Sequence, residues 1–387
     1  MPALVEPAAA LDNAEIERYS RHIIIPEIGD VGQRRLKNAR VLVIGAGGLG
    51  SPTILYLAAA GVGTIGIVDF DSVEVSNLQR QVIHGISDIG RSKLDSARDS
   101  VAALNPLVDV RLHDILLDAS NALALFADYD LIVDGSDNFA TRYLVNDAAA
   151  ILGKPYVWGS VYRFDGQVSV FWQRYGPTYR DLFPEAPPAG SAPSCGEGGV
   201  FGMLCAAVGA VMVAEALKLI TGVGETLLGR VLLYDALSAR WRQMTLNRDP
   251  AAPVITELID YDAFCGLAPR GTATEATDGV TPRELEEMLT ARAQGTADFD
   301  LIDVREPGEH ALVSIPGAQL IPQDRIYSGE ALAALSRDRD LVLYCKAGSR
   351  SAGVLAELHR LSYDRVRHLT GGIDAYSAEV QPSQPRY

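Results

Sequence analysis

Cysteine is scarce. Cys195, Cys205, Cys265 and Cys345 are the only four in 387 residues, and no two form a C-x-x-C pair. That spacing excludes the usual zinc ribbon, and four scattered thiols make a poor disulfide scaffold, so a reducing cytoplasm is expected. Basic surplus is also lacking: 34 Lys and Arg face 49 Asp and Glu, a formal net charge of −15. Without a phosphate-neutralising excess, neither nucleic acid nor an anionic membrane is expected as the main partner. Met1 to Asn13 has neither the basic start nor the apolar run of a signal peptide. The most apolar stretch, Val200 to Ala214, is too short to span a bilayer and reads as a buried helix. Length and composition point to a soluble protein of two or three domains.

What is present is a βα rhythm. Ile16 to Leu36 reads as a helix with a basic strip at Arg18, Arg21 and His22. Strands are expected at Val41 to Ile44, Gly63 to Phe70, Val108 to His113 and Leu131 to Asp134, with helices at Pro52 to Ala60 and Asp88 to Leu104. Asp137 and Asn138 follow the last of these strands, at the edge where parallel α/β sheets bind ligands. Tyr156 to Ser160, Gly166 to Trp172, Arg230 to Tyr234 and Trp241 to Leu246 read as further strands, and Leu204 to Ile220 as an apolar helix. Gln173 to Gly199 is a long Pro- and Gly-rich loop of the kind that is functional or mobile. Gly266 to Gly279 has linker composition, and Thr281-Pro282-Arg-Glu284 opens a capped helix. A smaller α/β unit follows, with strands at Phe299 to Val304, Leu341 to Tyr344 and Val366 to His368 and a helix from Ser351.

The first chemical signal is Gly45-Ala-Gly-Gly-Leu-Gly50, directly after a strand. Its glycines let the backbone approach a phosphate, and the next helix supplies N–H donors and a dipole. Asp69, at the end of the next strand, is placed to bind ribose hydroxyls. These residues alone fit an NAD enzyme, or a tight turn with no nucleotide. Ser76-Asn77-Leu78-Gln79-Arg80 and Lys93 tilt the reading. A triphosphate that must expel pyrophosphate needs cations on its outer phosphates and a metal. Arg80 and Lys93 suit the first need and Asp137 the second, although surface ion pairs are the commoner fate of such residues.

Taken together, Arg18-Tyr-Ser-Arg21, Gly45 to Gly50, Asp69-Phe-Asp71, Ser76 to Arg80, Lys93 and Asp137-Asn138 resemble the MoeB/ThiF/E1 superfamily over residues 12–265. The resemblance implies an E1-like, Rossmann-type doubly wound sheet. It implies activation of the C-terminal Gly-Gly carboxylate of a ubiquitin-like sulfur carrier by ATP and Mg²⁺. ATP would lie over Gly48 with its ribose on Asp69, its phosphates near Ser76, Asn77, Leu78, Gln79, Arg80 and Lys93, and Mg²⁺ on Asp137, with Asn138 beside it. A homodimer is implied, with Arg21 reaching the ATP of the neighbouring subunit. Many relatives carry two C-x-x-C pairs that hold a structural zinc. Here Thr178-Tyr-Arg-Asp181 and Asp249-Pro-Ala-Ala-Pro253 stand in their places, so no zinc is expected. Cys195, in Ser194-Cys195-Gly-Glu-Gly-Gly199, matches the crossover-loop cysteine of these proteins. It reads either as a thiol that attacks an acyl-adenylate or as a small residue in a Gly-rich turn. Cys205 reads as core, and Cys265 has no assigned chemistry.

The second signal is Cys345-Lys-Ala-Gly-Ser-Arg350-Ser, between a buried-type strand and a helix. Inward N–H groups, Arg350 and the helix dipole favour an anion, hence a thiolate. Phosphatases use a similar loop with one more residue between Cys and Arg. Here four intervene, Lys346 to Ser349, a tighter fit for a persulfide than for a phosphate ester. With Leu301-Ile-Asp303-Val-Arg305-Glu-Pro307 and Gly371-Gly-Ile-Asp-Ala-Tyr376, residues 280–387 resemble a rhodanese sulfurtransferase domain, in which the Cys carries transferable sulfur. Arg305 reads as half of a structural ion pair. The joint expectation is carrier adenylation followed by sulfur transfer from Cys345, with thiosulfate or a cysteine desulfurase as sulfur donor. The open rivals are an NAD-dependent oxidoreductase fused to a rhodanese, and a non-catalytic scaffold.

Overall fold

The computed structural model describes residues 1–187, 198–265 and 278–385. The chain divides after Cys265 into two compact units.

The strands of the first unit are Arg40–Ile44 (β1), Thr64–Asp69 (β2), Asp109–Asp114 (β3), Leu131–Asp134 (β4), Tyr156–Tyr162 (β5), Asp165–Phe171 (β6), Arg230–Asp235 (β7) and Arg240–Thr245 (β8). They form one sheet in the order β3-β2-β1-β4-β5-β6-β7-β8. The first five are parallel and the last three continue antiparallel. Val41-Leu-Val-Ile44 is buried on both faces, as the interior of a parallel sheet requires. Strand order reverses at β1, which pairs with β2 on one side and β4 on the other. The carboxyl ends of these strands therefore border the crevice where doubly wound sheets bind ligands.

Helices Asn13–Ile23 (α1), Gly29–Asn38 (α2), Gly50–Ala60 (α3), Lys93–Leu104 (α4), Ala122–Ala127 (α5), Phe139–Ile151 (α6) and Gly202–Thr221 (α7) belong to this unit. The apolar helix α7 is long and hydrophobic enough to cross a membrane, yet Leu204, Val208, Met212, Ala216 and Leu219 lie in the core with Val41, Val43 and Val168. At Gly209 an added methyl would sit 2.6 Å from Pro52 Cγ, so glycine lets α7 close on α3.

Two expected helices differ. The run from Ile16 to Leu36 is split into α1 and α2, because Pro26 lacks an N–H and Gly29 takes φ +57°. The run from Asp88 begins only at Lys93: Gly90 takes φ +82°, and Ser92 Oγ accepts the Leu94 N–H at 3.2 Å to cap α4.

The two segments expected to lack zinc ligands, Thr178 to Asp181 and Asp249 to Pro253, are joined by a carboxylate. Asp181 Oδ2 accepts from Thr178 N at 2.6 Å and Thr178 Oγ1 at 3.0 Å, and Oδ1 accepts from Asp249 N at 2.8 Å. Asp181→Ala removes three charge-assisted bonds and is expected to cost about 2 kcal/mol. The first unit's unfolding midpoint should drop by roughly 5 °C, with no zinc in wild type or variant by elemental analysis. An unchanged midpoint, or one zinc per chain, would contradict this assignment.

The second unit is a parallel sheet of Gly279–Val280 (β9), Phe299–Asp303 (β10), Gln319–Leu320 (β11), Asp340–Tyr344 (β12) and Val366–Leu369 (β13), in the order β11-β10-β12-β13-β9. Its helices are Pro282–Ala293 (α8), Pro307–Leu312 (α9), Gln323–Tyr327 (α10), Ser349–Arg360 (α11) and Gly372–Glu379 (α12). Thr281 and Glu284 cap α8 reciprocally, as their spacing indicates. The second sheet begins at Gly279, and residues 266–277 of the segment with linker composition lie outside the described residues. Alternation along the strands makes two cores. Ile302, Leu341, Leu343 and Cys345 pack with Val354 and Leu358 of α11. Leu301, Val342 and Leu369 pack with Leu285 and Ile373.

Candidate functional site

At the switch point, β1 is followed by Gly45 with φ +88°. A methyl on Gly50 would lie 1.8 Å from Gly45 O, so only glycine closes this turn onto α3. The N–H groups of Gly47, Gly48 and Leu49 donate to no backbone acceptor among the described residues. They lie beside the N-terminus of α3, an arrangement that binds phosphate. Asp69, at the end of β2, accepts the Ala46 N–H on Oδ2 at 2.8 Å and the Asp71 N–H on Oδ1 at 2.9 Å. The Arg80 stem passes Gly48, with Cγ and Cδ each 3.6 Å from where a Gly48 Cβ would be, and its guanidinium donates to Ser76 O at 3.0 Å. Lys93 is buried and pairs with Asp71 Oδ2 at 2.7 Å.

The other sequence candidates divide. Asn77 is buried, and its Oδ1 accepts the Glu74 N–H at 3.2 Å. Exposed Ser76 donates to Glu74. Leu78 is half-buried, and Gln79 packs so close to Gly202 that a Cβ there would lie 2.3 Å from Gln79 O. Asp137 is exposed just past β4, whereas Asn138 Oδ1 caps α6 by accepting the Thr141 N–H at 2.8 Å. Arg21 is exposed on α1, away from any ion pair with a described residue. Cys195 lies outside the described residues. Cys205 is core, as read, and its sulfur supports Gly48 from below, 2.8 Å from the ideal Cβ position. Cys265 is buried, and burial, with Asp262 nearby, pushes its thiol up, which makes it inert. Sequence reasoning assigns no role to Asp71, although Asp69-Phe-Asp71 carries it, and no pattern around His84 marks that residue.

In the second unit Cys345 directly follows β12 and is fully buried. Its Sγ receives the Gly348 N–H at 3.1 Å and the Ser351 hydroxyl at 3.5 Å, and α11 begins beside it. Ile373 N and Asp374 N donate to the carbonyls of Cys345 and Lys346 at 2.9 and 3.0 Å. Those carbonyls are thus held away from the sulfur. Gly372 is required for this contact: with φ +61°, a Cβ there would lie 2.3 Å from Lys346 O. Arg350 has a partner that its spacing does not show. Its guanidinium forms a buried bidentate pair with Glu309 at 2.7 and 2.8 Å, while Gly348 N and Ser351 Oγ face Cys345 Sγ. The charge anchors the loop to α9, a contact between positions 41 residues apart that spacing could not reveal.

Arg305 is the structural partner it was read to be. It is fully buried and binds Asp303 at 2.8 and 2.6 Å, and Tyr344 Oη and His310 Nδ1 meet the same carboxylate. Burial pushes Asp303 up, but the Arg305 bonds and charge, with His310, outweigh it and hold the carboxyl below its usual range. A carboxylate depressed on folding stabilises the fold above its unfolded value, near pH 4, and that contribution is lost as pH falls through the folded value. The second unit's unfolding midpoint is therefore expected to fall steadily below about pH 4. In Asp303→Asn it should be lower throughout and flatter with pH, by calorimetry. Equal acid slopes would count against this.

Residues 19–254 match the ThiF family model and residues 281–379 the rhodanese-like domain model. The probable adenylyltransferase/sulfurtransferase MoeZ of Mycobacterium tuberculosis is 60% identical over 392 aligned residues, covering 100% of this chain and 99% of that protein. Adenylyltransferase and sulfurtransferase MOCS3 of Drosophila ananassae is 39% identical over 97% of this chain and 86% of its own length. The sulfur carrier protein adenylyltransferase of Thermus thermophilus is 54% identical over 65% of this chain and 97% of itself. Among solved structures, E. coli MccB with MccA-N7isoASN has a TM-score of 0.56 at 22% identity, over 62% of this chain and 74% of that one, which supports the E1-like fold. The chain belongs to the ThiF family, in the branch of adenylyltransferase/sulfurtransferases that carry a C-terminal rhodanese domain.

Proposed function

We propose that this protein adenylates the C-terminal carboxylate of a ubiquitin-like sulfur carrier ending in Gly-Gly, and then converts it to a thiocarboxylate with sulfur carried on Cys345. The observation that carries the reading is the presence of two complete loops in one chain: open N–H groups at Gly47 to Leu49 beside Arg80, and a fully buried thiol bonded by Gly348 and Ser351.

In the first step the carrier carboxylate attacks the α-phosphorus of ATP, the bond to the β-phosphate oxygen breaks, and pyrophosphate leaves. The loop N–H groups and Arg80 stabilise charge on the phosphates, and Asp69 orients the ribose. The exposed carboxylate of Asp137, at the sheet edge, suits a hard cation that keeps most of its ligands as water and phosphate, so Asp137 would hold Mg²⁺ there. The metal would neutralise charge on the departing pyrophosphate. Exposed Arg21 suits a role across a homodimer, toward the nucleotide of the second copy.

In the second step a sulfane donor leaves one sulfur on the Cys345 thiolate. The added atom extends about 2 Å toward the loop mouth, where Ala347 and Ser349 are exposed. The persulfide anion attacks the acyl-adenylate carbonyl and AMP leaves. Two thiols of a reductant then cleave the S–S bond in turn and leave as their disulfide, releasing the carrier thiocarboxylate and the Cys345 thiolate. Isotope exchange between pyrophosphate and ATP tests the first step: exchange that requires both the carrier and its terminal Gly supports adenylation, and its absence with several carriers refutes it.

A further inference from the structure

His84 is a buried titratable side chain that these steps leave unused. Its Nε2 lies 3.1 Å from Ala46 O and its Nδ1 2.8 Å from Ser96 Oγ on α4. A carbonyl can only accept, so Nε2 carries the proton. Ala46 O belongs to the same peptide plane as the Gly47 N–H, and in a trans peptide the two point in opposite directions. Drawing the carbonyl inward to His84 therefore turns the Gly47 N–H outward, toward the phosphate position. The preceding peptide is fixed as well, because the Ala46 N–H is bonded to Asp69 Oδ2 at 2.8 Å. Between Ala46 and two glycines, a peptide flip has little steric opposition.

We infer that His84 is a positioning residue for adenylation: it clamps the Ala46–Gly47 peptide so that Gly47 presents its N–H to the nucleotide phosphate. The inference rests on the adenylation reading above. The clamp is indifferent to the charge of His84. Burial pushes the imidazole down, against the pull of the Ala46 carbonyl, and Lys93 adds to the fall while Asp88 and Asp69 oppose it. When neutral, Nδ1 accepts from the Ser96 hydroxyl. When protonated, Nδ1 donates to Ser96 Oγ, whose proton can turn to Asp88. The bond from Nε2 to Ala46 O is the same in both.

The test is calorimetric titration of Mg·ATP into the full chain and into His84→Ala, His84→Asn and His84→Gln. Gln carries an amide N–H to about the depth of Nε2, whereas Asn stops near Nδ1. His84→Ala and His84→Asn are expected to weaken Mg·ATP binding about 10-fold, and His84→Gln to recover most of it. In pyrophosphate exchange the KM for ATP rises while the KM for the carrier stays constant. Wild-type affinity in the Ala and Asn variants overturns the inference. So does a Gln variant no better than Asn, given wild-type unfolding midpoints in both. Wild type that binds Mg·ATP but shows no carrier-dependent exchange would sink the adenylation reading and leave the clamp standing. Wild type that binds no Mg·ATP overturns both.

Discussion

Arg80→Ala is expected to lower carrier-dependent pyrophosphate exchange by about 10²- to 10³-fold, the usual loss when one preorganised transition-state donor is removed. Arg80 is singular because its stem lies along Gly48 and, among the described residues, its guanidinium is held by a single bond to Ser76 O. It can therefore turn to phosphate without breaking an ion pair. Lys93 must first be shared with Asp71, 2.7 Å away, so Lys93→Ala also leaves a carboxylate without its partner. The Arg80 loss should fall on kcat as well as on kcat/KM, since charge on the leaving pyrophosphate grows only in the transition state. Thiosulfate-to-cyanide sulfur transfer by the same variant should be unchanged, because the second unit has its own two cores. Normal exchange in Arg80→Ala would remove Arg80 from the phosphate path.

Cys345→Ala should give the opposite pattern. Exchange persists at the wild-type rate, and thiocarboxylate formation falls to background. The neighbouring side chain is no substitute: Ser351 Oγ, 3.5 Å away, is a hydroxyl whose one proton is shared between Cys345 Sγ and Gly348 O. The Ala variant should also fold. Losing one sulfur from a small buried site removes little apolar surface, and Ile373 N and Asp374 N still hold the loop through its backbone. Wild-type thiocarboxylate yield with thiosulfate as donor would move the sulfur-carrying role away from this residue. Glu309→Gln provides a contrast. It leaves Cys345 in place but uncouples the buried Arg350 charge, so its main effect is stability, with a cost of about 3–5 kcal/mol.

The framework was legible where local chemistry decides it. Apolar runs such as Val41 to Ile44 and Leu341 to Tyr344 have few alternatives to a buried strand, and Gly50 and Gly372 mark turns that only glycine can close. The two loops could be read because each is contiguous. Contacts between distant positions could not. Spacing placed Arg350 beside the thiol, and its pairing with Glu309, 41 positions away, was not visible there. His84 acts through a backbone carbonyl 38 positions away, a contact that no motif encodes. The clamp of Asp181 on Asp249 is hidden for the same reason: a metal site announces itself by paired cysteines, and a carboxylate that accepts backbone N–H groups does not.

Intact mass spectrometry of a Gly-Gly-ending sulfur carrier, after incubation with this protein, Mg·ATP, thiosulfate and a thiol reductant, tests the coupling of the two loops most directly. The account predicts a mass gain equal to replacement of one carboxylate oxygen by sulfur, lost when ATP or thiosulfate is omitted and lost in Cys345→Ala. A carrier whose mass is unchanged while pyrophosphate is released would contradict it, leaving adenylation without the sulfur transfer that the second loop is proposed to perform.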